Sequence, residues 1–223
     1  MYSSGWASVT TAPATTPITT RPTLGKYNDK RMIFIGTGKY LGPSDLTDFE
    51  VQSLYGIRDN DETETLDNAR NFLVEQTLVV DSEDDSKWVS GSDNLVPSDK
   101  RGWFIDLPDK GERQNVPSEL VRGVLIVPTT VPTATACEPD GYSWLSFIDY
   151  RTGKQVPGWD WVSTRLDAPI VGINITYIGD EPVVSVVTAD NPTPKRINPP
   201  GKFPGKDVGF QKTRAVWREV IDD

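Results

Sequence analysis

Residues 59–64 place Asp59, Asp61, Glu62 and Glu64 beside Asn60, four carboxylates and one amide within six positions. Calcium takes six to eight oxygen ligands, and acid-rich loops supply them. The Asp59, Asp61 alternation resembles the opening of a calcium loop. Neither the turn glycine nor a glutamate at the twelfth position follows. Asp59, Asp61, Glu62 and Glu64 are therefore only weak candidate ligands, set against a solvated connection between strands. The acidic run at 81–85 (DSEDD) carries the same two readings, and either run would also blunt an exposed strand edge.

Seven tryptophans are a second resource. Trp159 and Trp161, two apart, would stack on sugar rings if both were exposed. The commoner use of such rings is packing between layers. Gly36-Thr37-Gly38-Lys39 looks like a phosphate loop, but Tyr40-Leu41-Gly42-Pro43 follows where a helix would have to open. Tight-turn glycines leaving a strand fit better. The chain has no histidine, which removes Ser-His-Asp hydrolysis, Cys-His chemistry and His-ligated zinc. Cys137 stands alone, so no disulfide forms within the chain. A free thiol and a disulfide to another segment both remain open. No two acids rank above the rest as a glycosidase pair. No catalytic and no cofactor-binding residue is assigned. Asn174-Ile175-Thr176 fits a glycosylation sequon, a short match that arises often by chance.

The elements that must hold these residues read as strands. Residues 32–35 form an apolar run ending in Gly36-Thr37-Gly38, as expected for a strand covered on both faces. Further strands are expected at 52–58, 73–80, 103–105, 120–127, 143–149, 172–178, 183–187 and 215–221. Within 172–178, Ile173, Ile175 and Tyr177 alternate with Asn174 and Thr176. One short helical turn is expected within 65–73. Residues 1–23, rich in Thr and Pro, read as an extended lead-in or as the edge strand of a truncated blade.

Nine or ten short strands between turns indicate a sandwich, a barrel or a propeller. Two features favour the propeller. Many strands are apolar on both faces, and a loose repeat ends in Asp-x-x-Thr-Gly, clearest over 120–154. The expected fold is all-β, an incomplete β-propeller of about three blades of antiparallel strands with long acidic loops. A formal net charge of −9 offers no basic footprint for nucleic acid or for an anionic membrane surface. The start lacks a basic and apolar leader pattern, and no apolar run is long enough to span a membrane.

Several ordered segments resemble the C-terminal propeller of the PilY/PilC family of type IV pilus tip-associated adhesins. They are MIFIGTGKYL at 32–41, Asp45-Leu46 with QSLYGIRD at 52–59, and LVEQTL at 73–78. RGWFIDLP at 101–108 with GER at 111–113 follows. Cys137 with SWL at 143–145, and AVWREV at 215–220, complete the set. The resemblance implies residues 24–223 as the C-terminal blades, without an enzyme activity. It implies an exported protein of the periplasm, outer membrane or cell surface and pilus tip. Its implied roles are pilus assembly, opposition to retraction and attachment. Implied partners are minor pilins at the pilus tip, a host or abiotic surface, and missing N-terminal blades that cover bare blade faces. The family often carries calcium in an Asp/Asn-rich loop. Where many members show D-x-N-x-D-G after SWL, this chain has Gly158-Trp159-Asp160-Trp161-Val162. The alternative is an exported carbohydrate-binding or carbohydrate-active propeller.

Overall fold

Fourteen short strands lie in three sheets of the computed structural model, which describes residues 16–59, 69–133 and 141–205. The first sheet contains β1 (Thr23–Tyr27), β2 (Lys30–Gly36), β3 (Ser53–Asp59), β4 (Val74–Gln76) and β7 (Gly102–Asp106), in the order β1-β2-β3-β7-β4. The second contains β5 (Leu78–Val80), β6 (Lys87–Ser90), β8 (Glu119–Val121), β9 (Val124–Pro132), β10 (Gly141–Asp149) and β11 (Ser163–Leu166). Its order is β5-β6-β11-β10-β9-β8. The third is β12 (Ile170–Ile178), β13 (Glu181–Thr188) and β14 (Asn191–Ile197), in chain order. The fold is all-β, with sheets that do not close on one another, and its only helical turns among the described residues are 3-10 turns at Pro43–Thr47 and Ala69–Phe72.

The second sheet is the middle layer. Every residue of β9 is buried. Leu125, Val127 and Val131 face the first sheet, where they join Met32, Phe34, Leu54, Trp103 and Ile105. Val124 and Ile126 face the third sheet, joining Ile170, Val184, Val186 and Ile197. A strand alternates its side chains between two faces, so a layer with neighbours on both sides is largely apolar on both, and its buried hydroxyls, such as Thr129 and Thr130, are hydrogen-bonded. That is the physical reason residues 120–127 read as strongly apolar. Arg122 and Gly123, both with positive φ, break that run into the β8–β9 hairpin. An Arg in this conformation carries strain that glycine would not.

The expected strand at 73–80 is two strands. β4 joins the first sheet and β5 the second, so the chain changes layer at Thr77. Gln76 anchors the crossing, its amide donating to Asn94 O at 2.7 Å and Thr152 O at 3.0 Å. One correction follows for the strand directions: β4 pairs with β7 in parallel, while the other strand pairs are antiparallel. The acidic run at 81–85 is a tight β5–β6 connection rather than a long loop. There Asp81 N donates to Lys87 O at 3.0 Å. Of the Thr/Pro-rich lead-in, residues 1–15 lie outside the described residues. Ile18 bridges Gly38, and Thr23 opens the edge strand β1.

Candidate functional site

The Asp-x-x-Thr-Gly turn closing β10 borders a cleft among the described residues. Thr152 N and Gly153 N donate to Asp149 O at 3.2 and 2.9 Å, which winds residues 149–153 into a tight turn. Gly153, at φ 74°, lies against the Trp103 indole; a Cβ there would stand 2.5 Å from the ring. The Trp103 Nε1 donates to Tyr150 O at 3.0 Å, tying this turn of the second sheet onto the first. Beside it opens a cleft of about 610 Å³ lined by Ser90, Ser92, Asp93, Arg151, Lys154 and Gln155, among others. Buried Asp149 receives the Arg151 Nε and Nη2 at 3.0 and 2.6 Å. This hydrogen-bonded pairing raises the Arg151 pKa. Lys154 pairs with Asp93, and Gln155 N donates to Ser90 Oγ at 2.9 Å. The cleft thus presents hydroxyls, amides and paired charges, a lining suited to hydrogen-bonding a polar surface.

A second polar centre lies under residues 109–114. Asp109 Oδ2 accepts from Tyr142 Oη and from Trp144 Nε1, each at 2.8 Å. Glu112 is buried; its carboxyl accepts from Thr129 Oγ1 and, at 3.2 Å, from Asp109 N. Burial pushes the Glu112 pKa up to about 8. The next residue, Arg113, is also buried. Its guanidinium donates to Lys39 O at 2.9 Å, Asp45 O at 2.7 Å and Asp48 O at 2.6 Å. Asp45 in turn accepts from Leu41 N at 2.9 Å and Gly42 N at 3.2 Å, and these bonds lower its pKa. One buried fork therefore organises the whole loop after β2. Gly36 and Gly38 allow it: a Cβ at Gly38, φ 119°, would stand 2.3 Å from Arg113 Cβ. These glycines receive a neighbouring segment rather than a phosphate.

The structure describes only some of the residues singled out in the sequence. Asp59 ends β3 and pairs with Arg31 at 3.1 Å. Asp61, Glu62, Glu64 and Cys137 lie outside the described residues, as does the expected strand at 215–221. Among the described residues, no group of three His, Cys, Asp or Glu is placed to hold a metal. Asp84 of the second acidic run accepts from Ser86 Oγ at 2.5 Å and from Ser86 N at 2.9 Å, bonds that lower its pKa.

The stacking pair requires a correction. Trp159 is buried, its ring 5.4 Å from Phe203 and 5.8 Å from Phe147, with Gly201 against its edge. Trp161 is half-buried on Phe147, with Lys87 Nζ 5.1 Å from its ring centroid. The exposed coplanar pair that sugar stacking requires is absent. Core packing takes Trp159 because the segment after β14 folds back over it. The cleft residues and Arg113 were missed as a site. Their local signals were Asp-x-x-Thr-Gly at 149–153 and Gly-Glu-Arg at 111–113.

Comparison with known proteins shows what the chain is similar to. The family model for the PilY1 beta-propeller domain matches residues 3–92. A type IV pilus biogenesis factor PilY1 homolog of Xylella fastidiosa (strain Temecula1 / ATCC 700964) is 26% identical over 231 residues. The match covers 92% of this chain and 18% of that protein. A second such homolog of the same strain is 26% identical over 166 residues, covering 70% of this chain and 11% of that protein. The chain is thus similar to PilY1 homologs, over its first 92 residues by the family model and over most of its length by the first relative. The crystal structure of the Pseudomonas aeruginosa PilY1 C-terminal domain superposes with a TM-score of 0.59 at 18% identity. That likeness, over 82% of this chain and 45% of that one, supports the fold. The chain spans less than a fifth of the length of either curated relative. Among the described residues, no helix is long and apolar enough to cross a membrane.

Proposed function

We propose that this chain is a non-catalytic recognition and assembly scaffold of a type IV pilus biogenesis factor. In this reading it is exported, sits at the pilus tip, supports assembly against retraction and helps the pilus attach to surfaces. The observation that carries the scaffold reading is the doubly buried middle sheet. Its aromatic and apolar side chains are spent on joining layers, and its polar side chains pair with one another. Rigid presentation of a surface is what such a molecule does well. The pilus assignment rests on the likeness to PilY1 homologs.

Deleting the gene in its native cell should remove most surface pilin, measured by shearing and immunoblot, and the full-length gene should restore it. Unchanged surface pili in the deletion strain would end the pilus reading. Purified chain should show no turnover on a panel of polysaccharides. Saturable hydrolysis there would replace the scaffold reading with the carbohydrate-active one.

A further inference from the structure

The cleft beside the 149–153 turn has its acceptors spent and its donors in reserve. Buried Asp149 gives one oxygen to Arg151 Nε and the other to Arg151 Nη2. Gln155 Oε1 takes Ser90 N at 3.4 Å, and the Ser92 hydroxyl is given to Gln76 Oε1 at 2.7 Å. On the donor side, no acceptor among the described residues takes the Arg151 Nη1. The Ser90 hydroxyl accepts from Gln155 N at 2.9 Å and the Thr152 hydroxyl from Lys154 N at 3.4 Å, so each keeps its own hydrogen to give. A cavity with this balance asks for an acceptor, and its two cations ask for a charged one.

Lys154 is the cation poised to change partner. Its carbonyl accepts from Asp149 N at 2.8 Å, which seats it on the turn. Its side chain is 18% exposed, while that of Asp93, its partner, is 93% exposed. Such a pair is worth little, because solvent screens it and holding two side chains together costs entropy. Asp93 is therefore a counterion that a second carboxylate, bound by several donors at once, displaces easily. The volume of about 610 Å³ admits a side chain together with its flanking residues. The lining holds no aromatic ring on which a sugar would lie, so an acidic peptide fits it better than a saccharide.

We propose that this cleft binds the carboxylate of an acidic peptide segment of a protein partner. Lys154 exchanges Asp93 for the incoming group, and Arg151, Ser90 and Thr152 donate to it.

An NMR titration of the full isotope-labelled chain with acetyl-Ser-Glu-Ser-amide tests this. Amide signals of 90–93 and 151–155 should shift saturably, and the Ser-Gln-Ser counterpart should move none of them. Lys154→Met keeps the stem without the charge and should weaken the peptide by about ten-fold. Asp93→Asn alters only a solvated side chain and should tighten binding by about three-fold. It decides the matter if Lys154→Met disturbs the turn. Equal binding of the two peptides, wild-type affinity in a folded Lys154→Met, or no gain in Asp93→Asn would overturn the proposal. Acetate binding as tightly as the peptide would reduce the cleft to a counterion site. Methyl glucuronide binding where the peptide does not would assign it to a saccharide. Either result equally overturns the proposal. The proposal rests on the recognition-scaffold reading, but none of these readouts involves pili, so a cleft that ignores the peptide leaves the deletion-strain test of that reading standing.

Discussion

Glu112 is a carboxyl held almost wholly out of water. Its folded pKa of about 8 against an ordinary 4.5 means that the fold holds a proton the unfolded chain gives up. Stability from this group is complete below pH 4.5 and drains away as pH rises towards 8, by about 1.4 kcal/mol per unit at most. The groups facing it are Thr129 and Asp109, with Tyr142 and Trp144 bound to Asp109. The wild type should therefore lose Tm between pH 5 and 8, and Glu112→Gln should flatten that fall. Parallel Tm curves for the two proteins over that range would refute the protonated Glu112. None of this could be read from the sequence. Glu112 shows there only as the middle of Gly-Glu-Arg, because burial is created by strands that arrive from elsewhere.

Arg113 belongs to the scale of elements, since one guanidinium fixes the loop between β2 and β3. Lysine would keep the charge and lose the fork that reaches three carbonyls at once. Arg113→Lys should leave the sheets folded yet expose the 39–48 loop to limited proteolysis, cutting several-fold faster than in the wild type. Equal cutting rates would show that the loop holds itself. At this scale the sequence was legible where a strand is apolar throughout or alternates cleanly, as at β2, β10 and β12. It was mute at β1, β6, β11 and β14. Those strands read Thr-Leu-Gly-Lys-Tyr, Lys-Trp-Val-Ser, Ser-Thr-Arg-Leu and Asn-Pro-Thr-Pro-Lys-Arg-Ile. Such strings are short or polar, and pairing with neighbours makes them strands rather than any preference of their own. Trp159 failed for a related reason: Gly201 and Phe203, some forty residues on, decide its burial.

For the molecule as a whole, the layered arrangement was foreseen from strands greasy on both faces, and β9 between its two apolar clusters is that pattern realised. The polar cleft was not, because Ser90 and Gln155 meet only after the connection from β10 to β11 is laid beside β6. Calcium at millimolar concentration is expected to leave the Tm nearly unchanged, since Asp59 is engaged by Arg31. A rise of several degrees, lost in the Asp59→Ala and Asp61→Ala double variant, would contradict this.

The position of the β9–β10 pair has a mechanical meaning. These nine-residue strands run antiparallel in unbroken register from Gly141 opposite Pro132 to Asp149 opposite Val124. A pull that peels an outer sheet must first strip a whole apolar face from this pair before it touches a single rung between them. Tension on the molecule therefore spends itself on the flanks, and the central ribbon is the last part to let go.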